Sequence, residues 1–335
     1  MIVPSQPPDL ASKLPAARAL WFTEQGRCAI LDEHLPALTG GDLLVRTLYS
    51  GISRGTEATV FQGLVPHSEY ERMRAPFMAG SFPFPVKYGY CAVGEVLDGE
   101  AELVGARVFC LHPHQDYFVV PKTAVTVLPE GLAPERAVLA ANMETALNVV
   151  WDAEIRPGDR VAVFGAGVVG ALTAHLAAGV PGTEMLLVDP DLERASLANG
   201  LGLSFVAPNG LDGEFDVLIN ASGASAALSL AIDHAGLEGR IVEASWYGER
   251  QATLSLGGAF HSRRLSIKSS QVGHVSTSQQ PRWPLSRRLS KALDLLADSR
   301  LDALISGETA FSDLQDIYPR ILHATSTLCH RVRYE

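Results

Sequence analysis

The chain has 335 residues, 47% of them apolar and 19% charged, with 27 basic against 37 acidic side chains and a formal charge of −10. Such a composition excludes a disordered tail protein and a small disulfide-stapled one. So acidic a chain is also a poor general partner for nucleic acid, whose phosphate backbone attracts basic surfaces.

At about 100–200 residues per domain, two domains are expected. Met1–Leu10 has no basic stretch leading into an apolar run, so no signal peptide is expected. Cys28, Cys91, Cys110 and Cys329 form no CxxC pair and read as reduced thiols of a cytoplasmic protein.

Residues 1–140 read as an irregular β-rich domain. Its strand-like runs are Leu43–Tyr49, Gly94–Val96, Arg107–Leu111 and Tyr117–Val120, punctuated by glycine and proline. Pro134–Trp151 is rich in Ala, Leu and Val and reads as one helix. After the Pro157-Gly158-Asp159 turn, strand and helix alternate. Strands are expected at Arg160–Phe164, Glu184–Val188, Asp216–Asn220 and Arg240–Ala244. Helices are expected at Val168–Ala178, Leu192–Asn199 and Ala224–Ala235. That alternation predicts an α/β class with a doubly wound parallel sheet over residues 141–284. Ala207–Glu214 is too short for a full helix, so one crossover is abbreviated. Two helices (Leu285–Ala297, Asp313–Leu322) and a strand (Cys329–Tyr334) close the chain.

Val161–Val180 is apolar over about the length of a membrane span. Its three early glycines and His175 fit a buried strand, a glycine turn and a buried helix better, so no membrane partner is expected.

The strongest motif lies in that stretch: Gly165-Ala166-Gly167-Val168-Val169-Gly170, between an expected strand and an expected helix. Gly165 allows the tight turn, Gly167 lets backbone approach a pyrophosphate, and Gly170 lets helix and strand pack closely. Val168 and Val169 open the helix, whose free N–H groups and positive dipole end suit phosphate. Asp189 ends the second strand, where a carboxylate accepts hydrogen bonds from ribose hydroxyls and repels a 2′-phosphate. This favours NAD(H) over NADP(H), while nearby Arg194 keeps the phosphorylated cofactor open. A methyltransferase using S-adenosylmethionine is the rival class, although its glycines usually run GxGxG and position 169 is Val169.

Several pieces in order resemble the medium-chain dehydrogenase/reductase superfamily. They are Ser50-Gly51-Ile52-Ser53, then Lys87-Tyr88-Gly89-Tyr90-Cys91-Ala92-Val93-Gly94-Glu95-Val96, Val104-Gly105-Ala106-Arg107-Val108 and Ile155-Arg156-Pro157-Gly158-Asp159 leading into the glycine motif. The resemblance implies a GroES-like catalytic domain (1–140, completed by 285–335), a Rossmann domain (141–284), an active site in the cleft between them, and a homodimer. Within the superfamily, Gly51–Glu57 and Gly89-Tyr90 look most like bacteriochlorophyllide a dehydrogenase.

Family members with catalytic zinc hold it at positions that here match Ser53, Tyr90 and Ala141, and the structural-zinc lobe keeps only Cys110. Hydroxyl, phenol and methyl groups are poor zinc ligands. The resemblance therefore implies a zinc-independent branch and no bound metal. The groups facing that position are the catalytic candidates. Tyr90 can donate to a carbonyl, or accept a proton if Lys87 lowers its pKa. Glu144, one helical turn past Ala141, is expected in the same cleft. Ser53, with Arg54 and Thr56, can orient an oxygen.

Cys110, His112 and His114 alternate, which on a strand would align three metal-binding side chains, although Pro113 argues for a bend. Arg263, Arg264, Lys268, Arg282, Arg287, Arg288 and Lys291 crowd a span without acids. They read as a solvated or paired face, or as attraction for an anionic substrate. Ser222-Gly223 and Ser245-Trp246-Tyr247 follow expected strand ends, where ligands of parallel sheets bind, so Ser222 and Ser245 are expected near the cofactor and the aromatics beside a flat substrate. The expected function is hydride transfer between NAD(H) and a small alcohol or carbonyl substrate. A nicotinamide-binding redox sensor without turnover, and a zinc alcohol dehydrogenase with atypical ligands, are the alternatives.

Overall fold

The computed structural model describes residues 14–335, so the expectation about Met1–Leu10 lies outside the described residues. The N-terminal part comprises β1 (Ala17–Glu24), β2 (Arg27–Glu33), β3 (Asp42–Ser53), α1 (Arg54–Phe61), β4 (Ala79–Gly80), β5 (Val86–Lys87), β6 (Ala92–Asp98), β7 (Arg107–Cys110), β8 (Tyr117–Pro121) and β9 (Val125–Val127). The four expected strand runs fall in β3, β6, β7 and β8. β3 runs on to Ser53 because its last residues pair with a strand from the far end of the chain. α1 had no expectation from the sequence. Its start is secured by Glu57, which reaches back to accept the Ser53 N–H at 2.7 Å, much as in a capping box.

The stretch expected as one helix is two, α2 (Pro134–Ala137) and α3 (Ala140–Ala153). The break turns the Val138 carbonyl toward β3, where a Cβ on Gly51 would lie 2.9 Å from it. Only glycine permits that approach of strand to helix junction.

The alternating region comprises β10 (Arg160–Phe164), α4 (Val168–Ala178), β11 (Glu184–Val188), α5 (Arg194–Gly200), β12 (Ser204–Val206), β13 (Phe215–Asn220), α6 (Ser225–His234), β14 (Ala235–Glu243), α7 (Ala259–Ser262) and β15 (Ser266–Ser269). The strands form one parallel sheet in the order β12-β11-β10-β13-β14-β15. The abbreviated crossover holds only a 3-10 turn, Pro208–Gly210. The side chains of β10 explain why its sequence is apolar without interruption. Val161 and Val163 enter one core cluster with α3 and α4, while Ala162 and Phe164 enter another with α6. Strands covered on both faces cannot alternate in polarity. Among the described residues no helix is long and apolar enough to cross a membrane.

The C-terminal elements are α8 (Leu285–Leu295), β16 (Ile305–Ala310), α9 (Leu314–His323) and β17 (Cys329–Arg333). β17 pairs antiparallel with β3, placing Cys329 opposite Ser53. The resulting sheet runs β16-β17-β3-β6-β7-β9, with β8 also on β3. β15 and β16 had no expectation from the sequence.

Candidate active site

The parallel sheet reverses its winding between β10 and β13, and a cleft of about 630 Å3 opens at their carboxyl ends. Such a switch point is where ligands of open α/β sheets bind. Asp189, Arg194, Ser53, Asn142 and Trp246 all belong to its lining. The glycine turn and the start of α4 line it as well.

Each glycine of the turn has its own reason. Gly165 has φ +100°, and a Cβ there would sit 2.8 Å from the Ser222 Cα. A Cβ on Gly170 would sit 1.8 Å from the Gly165 carbonyl oxygen. Gly167 has extended backbone and nothing within 4 Å of its would-be Cβ. The first two close the turn; the third leaves open space at the N-terminus of α4, beside Val168 and Val169 in the cleft lining. That is a cradle of the shape and polarity a pyrophosphate needs.

Asp189 braces this cradle. Its Oδ2 accepts the Ala166 N–H at 2.7 Å and its Oδ1 accepts the Asp191 N–H at 2.9 Å. A carboxylate retains further lone pairs for a ribose hydroxyl. Arg194 is held by Asp191 at 3.4 Å and by the Thr325 carbonyl. Arg54 shares the cleft lining with it and makes no hydrogen bond or ion pair among the described residues. Burial and the Arg194 charge both lower its pKa. Arg54 thus brings an unpaired positive charge to the cleft lining.

Ser222 and Ser245 line the cleft as expected, but their hydroxyls have local work. Ser222 Oγ donates to Asn220 Oδ1 at 2.6 Å, and Ser245 Oγ accepts the Gly223 N–H at 2.9 Å. The fully buried Asn220, missed in the sequence, also donates to Glu243 at 2.7 Å and organises both turns. Trp246 lines the cleft and packs on the N-terminal core cluster. Tyr247 points instead to Glu243 and Asn220, and burial pushes its phenol up to about 12.

Ser53 faces the cleft. Asn142, unsuspected from the sequence, donates its Nδ2 to Ser53 Oγ at 3.3 Å. Tyr90 is not part of the lining. It packs between two core clusters. Burial pushes its phenol well above the usual value, with smaller contributions from Tyr88, Cys91 and Glu57. The expected lowering by Lys87 is not realised, because Lys87 turns to Glu33 at 3.0 Å and Gln115 at 2.8 Å. Next to Ser53 lies a third missed residue, the fully buried Glu57. Besides the Ser53 N–H it accepts His114 Nε2 at 3.0 Å and the Tyr318 hydroxyl. His114 Nδ1 continues to Ser50 Oγ at 2.7 Å, which meets the Tyr334 hydroxyl at 2.9 Å.

Glu144 does not share the cleft. It is buried in an ion pair with Arg288 at 3.1 Å, at the contact between α3 and α8. Helical spacing placed it one turn from Ala141, but the pull of a buried guanidinium decides its direction. Burial raises its pKa, and Arg288 opposes that rise.

The alternating Cys110, His112 and His114 do not converge, because the chain leaves β7 at Cys110. His112 stacks on Phe118 with centroids 4.0 Å apart, and burial pushes it down to about 3. Among the described residues no group of three His, Cys, Asp or Glu is placed to hold a metal ion. Most of the basic segment is paired: Arg263 with Glu214, Arg264 with Glu238, Lys268 with Asp152, Arg288 with Glu144 and Lys291 with Asp294. Arg287 lies over Trp283. A paired face accounts for these residues better than a field for an anionic substrate.

No family model matches the chain. It is similar to D-guloside 3-dehydrogenase of Escherichia coli, 23% identical over 321 residues that span 87% of this chain and 91% of the relative. Among solved structures, an E. coli alcohol dehydrogenase complexed with NADH superposes with a TM-score of 0.74 at 18% identity, covering 95% of this chain and 99% of the other. A structure from Sinorhizobium meliloti described as a zinc-binding dehydrogenase, bound to NADP, superposes at 0.75 with 20% identity over 96% and 100% of the two chains. The chain thus has the fold of the medium-chain dehydrogenases, a GroES-like part joined to a Rossmann sheet.

Proposed function

We propose that the protein is a zinc-independent oxidoreductase that moves a hydride between a nicotinamide dinucleotide, NAD(H) in preference to NADP(H), and an alcohol or carbonyl compound. The observation that carries this reading is the single cleft lined by Asp189, by Gly167 with its open space, and by Ser53. The relatives and fold neighbours support it, being dehydrogenases. A bound nicotinamide supplies or takes up the hydride, and solvent balances the proton. The remaining work falls to side chains and backbone of this protein. Gly167, Val168 and Val169 offer N–H groups to the phosphates. Arg54 neutralises phosphate charge, and Asp189 accepts from the adenosine ribose. Arg194 is tied to Asp191 and Thr325, which favours an unphosphorylated ribose.

Zinc does not fit the donor set. Ser53, Tyr90 and Ala141 occupy the positions where the family's ligands stand, and Ser53 Oγ is already taken by Asn142. Polarisation of the substrate oxygen is therefore assigned to hydroxyl chemistry. The reading keeps a homodimer and a cytoplasmic setting, the latter supported by four unpaired cysteines. The likeness to bacteriochlorophyllide a dehydrogenase rests on two short motifs and is not carried to a substrate.

Protein purified without added metal should contain less than about a tenth of a zinc per chain. It should oxidise NADH with some member of a panel of aldehydes, ketones and ketoses, and chelator should not change the rate. About one zinc per chain with chelator-sensitive turnover would restore the atypical-ligand alternative. NADH binding with no turnover across the panel would restore the sensor.

A further inference from the structure

The carboxyl ends of the central strands stand in one row. Val188 of β11 is paired with Phe164 of β10, Phe164 with Asn220 of β13, and Asn220 with Glu243 of β14. Neighbouring strands lie about 4.8 Å apart, so about 14 Å separates the end of β11 from that of β14. Asp189 follows β11, the glycine turn follows β10, Ser222-Gly223 follow β13, and Ser245–Arg250 follow β14. With the adenosine ribose at Asp189 and the phosphates at the glycine turn, the turns after β13 and β14 are left for the nicotinamide half and the substrate.

Arg250 lines the cleft and is fastened to both of those turns. Its Nε donates to the Tyr247 carbonyl at 3.0 Å and its Nη1 to the Gly223 carbonyl at 3.5 Å. The guanidinium lies over the Tyr247 ring, 5.8 Å from the centroid. The segment that carries it is pinned to the N-terminal part of the chain. Gly248 has φ +61°, and a Cβ there would lie 2.5 Å from the Leu64 carbonyl oxygen. That same oxygen accepts the Glu249 N–H at 3.0 Å. Glu243, the acid held between these turns, is used by Asn220, the Ser245 N–H and the Tyr247 hydroxyl. Among the described residues neither it nor Glu249 pairs with Arg250, and Arg250 Nη2 has no hydrogen-bond partner. The guanidinium is thus a held cation without a counter-charge, with part of its planar fork unused. Carboxylate and phosphate oxygens match such a fork.

We propose that Arg250 is a specificity-determining residue that binds an anionic group, a carboxylate or a phosphate, carried by the alcohol or carbonyl substrate. This rests on the nicotinamide reading above and narrows its substrate class.

The test titrates amides, which are not reduced, into the full-length protein saturated with NADH. Oxamate, malonamate and succinamate carry a carboxylate at increasing distance from the amide carbonyl. Oxamide, malonamide and succinamide are their uncharged counterparts, and phosphonoacetamide carries a phosphonate in place of the carboxylate. At least one anionic amide is expected to bind about 10-fold tighter than the uncharged amides, the worth of a charge-assisted hydrogen bond. Whether it is a carboxylate or the phosphonate tells which anion the substrate carries. Arg250→Gln should weaken that amide about 10-fold and change the uncharged amides and NADH by less than about twofold. Arg250→Lys keeps the charge without the fork and should fall between. A wild type that prefers no anionic amide overturns the proposal, and so does a preference that survives in Arg250→Gln. Loss of NADH affinity in Arg250→Gln with the amides unaffected assigns the arginine to the cofactor and overturns it as well. Wild type that binds NADH but none of the amides overturns it while the nicotinamide reading stands. Wild type that binds neither NADH nor NADPH overturns both.

Discussion

Replacing Gly170 and Gly167 separately by alanine is expected to separate the two jobs of the glycine turn. At Gly170 the new Cβ would lie 1.8 Å from the Gly165 carbonyl oxygen, which is backbone and cannot swing aside. Overpacking of this kind costs about 3 kcal/mol or more. Alanine recovers about 1 kcal/mol because it is a better helix residue than glycine, and position 170 lies in the first turn of α4. A net loss of about 2 kcal/mol is expected in denaturant unfolding. NADH binding should fall with it, because the carbonyl can yield only by reopening the turn. Gly167→Ala meets no heavy atom within 4 Å and keeps an allowed backbone, so stability should change by less than about 0.5 kcal/mol. Its methyl group occupies the space left for phosphate, and NADH affinity should fall about 10-fold. Equal behaviour of the two variants in both measurements would show that the open space at Gly167 is not a binding cradle.

The second large effect concerns Arg288, which is 1% exposed. Its guanidinium donates to Glu144 at 3.1 Å, to Asn148 at 2.7 Å and to the carbonyls of His274 and Val272. Arg288→Met leaves Glu144 buried with no counter-charge, and breaking such a pair costs about 3–5 kcal/mol. A Glu144→Leu/Arg288→Met double variant should recover much of that loss, since the desolvation of both charges disappears together. The pH dependence follows from the direction of the Glu144 shift. Its folded pKa is raised above the unfolded value, so its contribution is fully present below the unfolded pKa and is lost as pH rises through the folded one. Without Arg288, burial acts unopposed and the rise is larger. Unfolding free energies measured at pH 5 and pH 8 should therefore show the wild type and Arg288→Met further apart at pH 8. A gap that narrows toward pH 8 would mean that Glu144 is not the group left stranded.

What was legible in the sequence was local. The turn at Gly165–Gly170, the strands at Arg160–Phe164 and Glu184–Val188, and α4 depend on neighbours within a few positions, and β-strands buried on both faces announce themselves by unbroken apolar runs. The abbreviated crossover followed from chain length alone. The polar contacts at Ser53 and in the core behind the cleft were hidden because their partners are distant in sequence. Asn142 meets Ser53 across 89 positions, Glu57 meets Tyr318 across 261, and Arg288 meets Glu144 across 144. Helical periodicity gave Glu144 the correct helix and the wrong surroundings. Tyr90 was expected to face the cleft but packs against the core, since the turn at Gly89 carries φ +126° and no local pattern reports which way the next side chain leaves it.

The central claim is that the cleft takes a nicotinamide dinucleotide. It is tested most directly by thermal unfolding with NADH, NADPH and S-adenosylmethionine added separately. A ligand at about 100 times its dissociation constant stabilises by about 2.7 kcal/mol. The account predicts that NADH raises the melting temperature by several degrees, NADPH by less, and S-adenosylmethionine not at all. A shift with S-adenosylmethionine alone, or with none of the three, would contradict it.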